Sequence, residues 1–436
     1  MMKINQLEGV RLSGQLSLPG DEKIALCQLF LAALAQGTSY IKQAPSTPNI
    51  EQAVVSLRTM GVPVEWTESG LEVIGRPYGE LNPVDNQLAF ALDSPLLPFF
   101  LGILSFQNFQ TKLEFAKESI ADISKLEQKA LQKRGAEIEK QLKKMSCKIK
   151  EKKEAIYLGG NHKMKAIACK EEHYRPDFKT TMLLAGLYAK GKMTVLETWK
   201  SPDHLERALL WFGVPLESFG KFQNKIVLQN EEKLLKGKSV VIPADFSQAA
   251  PFLLLAAMLP GNEICLQQVN INPSRAGFLQ ILQRMGADIQ IKNAGWNGYE
   301  PVADLLVSSS KLHGVEVAAE ELLSCVAEIP LLLVAAALAQ GETTLRGVDD
   351  VRGDGEDDIQ TTSLWLQKMG IDLRQEKQTI HIMGKGKLQH FNDFVAKNKT
   401  TMLAAWVAAL LADGESSLPE EDIIRQAQQK LETLEK

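Results

Sequence analysis

The 436-residue chain has little of several features that mark special classes of protein. It holds only five cysteines, at positions 27, 147, 169, 265 and 325, and no two of them have the short spacing of a metal-binding pair. An odd and widely spaced set argues against a disulfide framework and predicts free thiols. The net charge of -4 and the pI of about 6.0 lack the basic excess expected of a nucleic-acid-binding protein.

Long hydrophobic runs are also absent. The longest apolar run, residues 329–339, is much shorter than the roughly 20 residues of a membrane-spanning helix. The first residues, Met1-Met2-Lys3-Ile4-Asn5, contain no apolar signal core. We therefore predict a cytoplasmic protein that binds neither a membrane nor nucleic acid.

Internal repetition is what the chain does have. One pattern is an apolar helix, a glycine and then a strand; it ends at Gly37, Gly191, Gly261, Gly341 and Gly414, with a weaker copy over Phe99–Leu113. A second pattern is a helix that ends in glycine before an alternating strand, at Gly61, Gly135, Gly213, Gly286 and Gly370. Because the second set recurs every 73 to 84 residues, the sequence predicts an α/β fold with about six copies of one helix-and-strand unit.

The segment Pro19-Gly20-Asp21, followed by an apolar helix, resembles the Pro-Gly-Asp-Lys-Ser-Ile-Ser-His-Arg loop of the EPSP synthase (3-phosphoshikimate 1-carboxyvinyltransferase) family. Further segments resemble motifs of that family in the same order along the chain: Ser201–Arg207, Pro243–Ala250, Asn272–Arg275, Glu300–Asp304 and Glu328–Pro330. On these motifs the chain is identified as a divergent member of the family over essentially its whole length. Similarity to UDP-N-acetylglucosamine enolpyruvyl transferases is weaker, because their reactive cysteine loop has no counterpart.

The resemblance implies a two-domain inside-out α/β barrel of six repeated units, with buried helices and outward-facing sheets. The upper domain would be residues 19–243, and the lower domain would combine residues 1–18 with 244–436. The family transfers the enolpyruvyl group of phosphoenolpyruvate to shikimate 3-phosphate, a step of aromatic amino acid biosynthesis, and the resemblance implies no cofactor or metal.

Many positions at which the family handles its anionic substrates hold other residues here. The matching catalytic positions hold Glu22, Ala327, Glu328 and Asp354, where the family has Lys, Asp, Glu and Lys. The matching cleft positions for substrate binding are Lys23, Cys27, Asp177, Lys179, Ser201, Asp245, Arg352, Asp358, Lys399 and Arg425. Among these, Cys27 and Asp358 replace arginines.

Charge reversal predicts a loss of activity. Both substrates carry a phosphate and a carboxylate, so the family cleft gathers Lys and Arg around them. Reversal at Glu22, Asp354 and Asp358 turns attractions of about 4 kcal/mol each, at 4 Å and an effective dielectric near 20, into repulsions. Even about 4 kcal/mol left after screening would weaken binding roughly a thousandfold. We therefore expect a monomeric pseudoenzyme whose partner is a small-molecule anion or a protein.

Two other functions remain open at this stage. An active transferase could use a relocated anion site built from Lys23, Lys117, Arg175, Lys179, Arg352 and Lys399. Alternatively, the protein could bind a less anionic ligand without chemistry.

Several smaller features favour structural interpretations. Cys27 is expected to be a buried thiol rather than a reactive one, and His204 to be structural. The residues Asp203, Glu206 and Arg207 are expected to form a helix cap and an ion pair. The acidic segment Asp349–Asp358 lacks the twelfth-position Glu of a calcium loop, and the basic segment Lys125–Lys153 is typical of a solvated face.

Overall fold

The computed structural model describes residues 2–434 except 8, 78, 117–124, 153–154, 161–162, 222, 230–234, 352–357, 395 and 397. The chain divides into two compact units. The upper unit comprises Gly20–Ile242 and Asn297–Glu300, and the lower unit comprises Met1–Pro19, Pro243–Trp296 and Pro301–Lys436. Within the described residues, no helix is both long enough and apolar enough to cross a membrane.

The upper unit contains six described helices. They are α1 (Glu22–Ala33), α2 (Pro48–Thr59), α3 (Leu97–Leu104), α4 (Lys125–Lys144), α5 (Pro176–Gly186) and α6 (His204–Trp211). Its strands follow the lower unit's β1 (Met2–Asn5) and β2 (Ser13–Ser17) in chain order. They are β3 (Thr38–Lys42), β4 (Val64–Thr67), β5 (Gly70–Ile74), β6 (Gln87–Phe90), β7 (Gln110–Phe115), β8 (Ile149–Lys152), β9 (Ala155–Gly159), β10 (Ala168–Glu171), β11 (Lys192–Glu197), β12 (Leu216–Phe219), β13 (Asn224–Gln229) and β14 (Ser239–Val241).

The same four-stranded sheet occurs three times in the upper unit. The strand orders are β14-β3-β5-β4, β6-β7-β9-β8 and β10-β11-β13-β12. In each sheet the first pair is parallel and the next two pairs are antiparallel. This recurrence confirms the predicted α/β class and its repeated helix-and-strand unit.

The lower unit also combines helices with four-stranded sheets, but two of its sheets have only two strands. Its helices are α7 (Phe246–Met258), α8 (Gly277–Arg284), α9 (Ala319–Leu322), α10 (Ile329–Leu338), α11 (Val348–Val351), α12 (Asp358–Lys368), α13 (Lys399–Leu410) and α14 (Asp422–Glu432). Its remaining strands are β15 (Glu263–Asn270), β16 (Asp288–Asn297), β17 (Glu300–Ser308), β18 (Glu316–Val317), β19 (Gln340–Arg346), β20 (Asp372–Glu376), β21 (Thr379–Lys385), β22 (Leu388–Gln389), β23 (Ala412–Asp413) and β24 (Glu415–Leu418). Two sheets are four-stranded, β16-β17-β15-β2 and β18-β19-β21-β20, whereas β1-β24 and β22-β23 are two-stranded.

The central helices of the upper unit are buried on every face. All residues of α1 from Ile24 to Ala33 are buried, because apolar residues fill the helix instead of forming one stripe. Helices α3 and α5 approach closely at Gly102, where a Cβ atom would lie 2.5 Å from Leu184 Cβ. Helices therefore form the core of the unit, as the family resemblance implies.

The predicted helix-ending glycines are confirmed with one exception. Gly61, Gly213, Gly286 and Gly370 have positive φ angles of 82°, 90°, 99° and 89°. The prediction at Gly135 was wrong, because that residue lies inside α4. Helix-favouring Lys, Glu and Gln continue the helix past it, and the residue with positive φ after the helix is Ser146, at 71°.

Candidate functional site

The first loop folds as a helix N-terminus. Asp21 caps α1, accepting a hydrogen bond from the backbone N–H of Ile24 (3.0 Å). Glu22 is half-buried and accepts from Asn49 Nδ2 (2.8 Å), whereas Lys23 is exposed to solvent. The carboxylate of Glu22, held by Asn49, thus stands where the resemblance places a lysine. The ammonium of the neighbouring Lys23 extends into solvent.

Cys27 carries no charge in the folded protein. The side chain is only 6% exposed. Burial raises the pKa of the Cys27 thiol far above its ordinary value, and the charges of Glu300 and Glu206 raise it further. A reactive cysteine needs a lowered pKa, so the environment fits the buried, inert thiol that the sequence predicted.

Lys179 is held entirely by groups of the upper unit. Its Nζ lies 2.8 Å from Glu206 Oε1 and 3.5 Å from Glu197 Oε1. It also donates to the backbone oxygens of Ser201 (3.2 Å) and Pro202 (2.9 Å). The Ser201 hydroxyl in turn donates to Glu197 Oε1 (2.5 Å). An ammonium has three N–H donors, and these internal partners occupy them.

The pKa values of this group follow from burial and pairing. Burial alone would lower the pKa of Lys179, but the charges of Glu197 and Glu206 outweigh it and raise that pKa above its ordinary value. Burial raises the pKa of Glu206 to about 7, although Lys179 opposes the shift. Lys179 is therefore a buried counter-ion.

Arg175 is likewise neutralised by carboxylates. Its Nη2 donates to Asp177 Oδ2 (2.9 Å) and its Nη1 to Glu137 Oε2 (3.3 Å). A third carboxylate, Glu171, lies 4.0 Å from Nη1. The cation suggested for a relocated anion site is thus balanced by acids of its own unit.

The segment Ser201–Arg207 serves the structure of the upper unit. His204 Nδ1 lies 2.8 Å from Glu300 Oε1, and both side chains are buried. Arg207 Nε donates to Asp203 Oδ1 (2.7 Å), which confirms the expected ion pair. The expected side-chain cap was wrong, because Asp203 stands at the N-cap position of α6 without bonding a helix N–H. The carboxylate is turned toward Arg207 instead.

In the lower unit, Glu328 is paired with a buried arginine. Arg275 Nη1 lies 2.5 Å from Glu328 Oε2, and Nη2 lies 2.9 Å from Oε1. Such a bidentate pair is a strong, charge-assisted contact. The preceding residue, Ala327, lies in the short 3₁₀ helix Val326–Glu328 and has no ionisable group.

Asp245 and Asp358 support helix N-termini of the lower unit. Asp245 caps α7 by accepting from the backbone N–H of Ser247 (2.8 Å). Asp358, the first residue of α12, accepts from Asn398 Nδ2 (2.6 Å) and Thr401 Oγ1 (3.0 Å). Asn398 in turn caps α13. Asp358, which is predicted to replace a family arginine, is therefore part of a helix-cap network.

The remaining candidate positions are exposed or lie outside the described residues. Lys399 is exposed at the first turn of α13. Arg425 is exposed and pairs with Glu420 (2.8 Å) and Asp422 (3.1 Å). Arg352 and Asp354 lie outside the described residues.

Comparison with known proteins fixes the family. The family model of EPSP synthase (3-phosphoshikimate 1-carboxyvinyltransferase) matches residues 7–394. This chain belongs to the EPSP synthase family. A 3-phosphoshikimate 1-carboxyvinyltransferase of Leuconostoc citreum (strain KM20) is 30% identical over 97% of this chain and 96% of that protein.

Solved structures agree on the fold. An EPSP synthase structure from Acinetobacter baumannii matches with a TM-score of 0.81 at 28% identity, covering 95% of this chain and 93% of that one. The enolpyruvyl transferase NikO from Streptomyces tendae has a TM-score of 0.72 over 99% of this chain and 96% of its own, at 15% identity. The second likeness is one of fold alone. Together they confirm the enolpyruvyl transferase fold.

Sequence reasoning missed the pairing of two EPSP synthase motifs. Arg275 and Glu328 both lie in segments that resemble the family, but 53 positions separate them. The motifs identified Arg275 and Glu328 one by one, but they did not indicate that the two residues pair. Both charged residues lie in apolar sequence contexts, which predicts burial. Because buried charges are paired, an Arg and a Glu in such contexts could have been predicted to pair with each other.

Proposed function

We propose that this chain is a non-catalytic member of the EPSP synthase family that has lost enolpyruvyl transfer and acts by binding a small molecule or a protein partner. The observation that carries the proposal is the saturation of Lys179 by Glu206, Glu197 and two backbone oxygens. A lysine with these contacts has no donor left for a substrate phosphate or carboxylate.

The first loop supports the same proposal. Glu22 brings a negative charge to a position where the family has lysine, and it is fixed by Asn49. Cys27 brings a neutral thiol to a position where the family has arginine, and burial, together with the carboxylates Glu300, Glu206 and Asp21, raises the pKa of that thiol. A doubly anionic ligand would meet repulsion where the family provides attraction.

The chemical step also lacks a free acid at the matching position. Ala327 cannot transfer a proton, and the neighbouring Glu328 is engaged by Arg275. Arg275 contacts both carboxylate oxygens of Glu328, and this bidentate pairing opposes a role in proton transfer.

Calorimetric titration tests the proposal. The purified protein is titrated with shikimate 3-phosphate, alone and with phosphoenolpyruvate. We expect no heat of binding at about millimolar ligand, where a family-type cleft would be occupied. Micromolar binding would overturn the charge argument, and phosphate release in the presence of both substrates would overturn the loss of catalysis.

The second candidate is an active 3-phosphoshikimate 1-carboxyvinyltransferase with a rearranged site. It is favoured by the 30% identity to an enzyme of that name over 97% of the chain. The exposed Lys23 and Lys399, each in the first turn of a helix, are cations that could meet a substrate anion. Under this alternative the Lys23→Ala variant would lose phosphate release, whereas Lys170→Ala, at an exposed lysine of β10, would not.

A further inference from the structure

The upper unit contains a cavity of about 190 Å³. Apolar side chains from α3, α4, β7, β8 and β9 form most of its described wall: Leu97, Leu101, Phe115, Ile138, Ile149 and Ile156. The segment 92–98 and Asp177 also line it.

The polar groups of the cavity are mainly acidic. Four carboxylates, Asp93, Glu139, Glu151 and Asp177, line it beside one basic residue, Arg134. Two of the carboxylates already have partners, because Asp177 pairs with Arg175 and Glu139 with Lys143. Within the described part of the chain, neither Asp93 nor Glu151 forms an ion pair.

Glu151 lies at the edge of the cavity. It is two residues after Ile149 on β8, so the two side chains leave the same face of the strand. Ile149 is buried at 8% exposure, whereas Glu151, nearer the end of the strand, is exposed. Glu151 therefore lines the cavity at its solvent-facing edge. Desolvation raises the pKa of Glu151, and the charge of Glu139 raises it further, although the charge of Lys143 opposes the shift.

The geometry points to a binding site for a small organic cation, with an apolar body in the cavity and a protonated amine at Glu151 and Asp93. An apolar cavity of about 150 Å³ accepts benzene, so this one fits a body of roughly six to ten non-hydrogen atoms. A charge at the edge of an apolar cavity requires an opposite charge, which these carboxylates supply. The inference rests on the proposed function, because it names a ligand class for a protein that binds a small molecule in place of enolpyruvyl transfer.

Three probes of one shape test the charge preference: phenethylamine, 2-phenylethanol and 3-phenylpropionate. Affinities are measured by calorimetry on the full chain at low salt. We expect the amine to bind about five- to tenfold more tightly than the alcohol, as a partly exposed ion pair allows, and the carboxylate more weakly than either. Equal binding of amine and alcohol, or tightest binding of the carboxylate, would overturn the inference.

Variants locate the site. Glu151→Gln should reduce amine affinity about fivefold and leave alcohol affinity unchanged, since it removes charge and keeps shape. Glu217→Gln, at an exposed acid of strand β12, is the matched control and should change neither. Leu97→Phe and Leu101→Phe each partly fill the cavity and should weaken both ligands about tenfold, with thermal unfolding confirming that at least one variant folds. Unchanged binding in a folded filling variant would show that the probes bind elsewhere, against the inference.

A parallel assay separates the two proposals. Phosphate release from phosphoenolpyruvate and shikimate 3-phosphate is measured on the same preparation. Turnover together with amine binding would reject the loss of catalysis and retain the cation site. Absence of both would retain the loss of catalysis and reject the cation site.

Discussion

The ammonium of Lys179 lies 2.8 Å from Glu206 Oε1, and both side chains are almost completely buried. Glu197 completes the group at 3.5 Å. Taking such charges out of water is costly, and their mutual attraction offsets that cost only while all partners are present. The retained lysine thus has a structural task that does not depend on catalysis.

Removal of this cation should destabilise the protein strongly. Lys179→Met leaves Glu206 and Glu197 buried without their counter-ion, and we expect a loss of about 3–5 kcal/mol in the free energy of unfolding. Urea denaturation followed by circular dichroism measures the change. Lys170→Met, at an exposed lysine of β10, is the control and should cost less than about 0.5 kcal/mol. The double variant Lys179→Met with Glu206→Leu should recover part of the lost stability. A loss below about 1 kcal/mol in Lys179→Met alone would contradict the structural role of Lys179.

The titration of Glu206 should make stability fall as pH rises. Its pKa is about 7 in the folded protein and near 4.5 when unfolded, so the folded state binds more protons between these values. The contribution of protonated Glu206 to the free energy of unfolding is fully present below about pH 4.5 and is lost as pH rises through about 7. Between these pH values, wild type should lose about 1–3 kcal/mol more than Glu206→Gln. Parallel pH profiles for the two proteins would show that Glu206 does not titrate in this range.

The helix-cap network around Asp358 should show coupling. Asp358→Ala removes the acceptor of Asn398 and Thr401, and Asn398→Ala removes the cap of α13. We expect each variant to lose about 1–2 kcal/mol of unfolding free energy, and the double variant to lose less than the sum by about 1 kcal/mol. The four proteins are compared by chemical denaturation. Strict additivity would mean that Asp358 and Asn398 act independently.

Restoring family charges in the first loop should restore affinity for an anion. Glu22→Lys combined with Cys27→Arg replaces a carboxylate and a thiol by two cations, and we expect shikimate 3-phosphate to bind at least about tenfold more tightly than to wild type. Calorimetry measures the gain. Glu65→Lys, at an exposed acid of strand β4 outside the first loop, also adds positive charge and should leave affinity unchanged. An equal gain in that control would mean that net charge, and not the loop, sets the affinity.

Part of the structure could be predicted because its signals are local. The helix that begins after Asp21 and the positive φ at Gly61 follow from residues within a few positions of each other. The end of α4 could not be placed this way. Gly135 carries the same local signal as Gly61, but α4 continues to Lys144 because its residues have high helix propensity and its C-terminal half packs in the core.

The sequence by itself determined the family and the repeated unit, and it predicts the positions at which family cations have been replaced, because these depend on the order and identity of residues. Only the tertiary structure decided what the remaining charges do. Lys179 and Glu206 are 27 positions apart, Arg275 and Glu328 are 53 apart, and His204 and Glu300 are 96 apart. Each pair forms because burial excludes water and leaves the opposite charge as the available partner. Which charges pair therefore depends on which residues are neighbours in space, and this cannot be read directly from their order in the sequence.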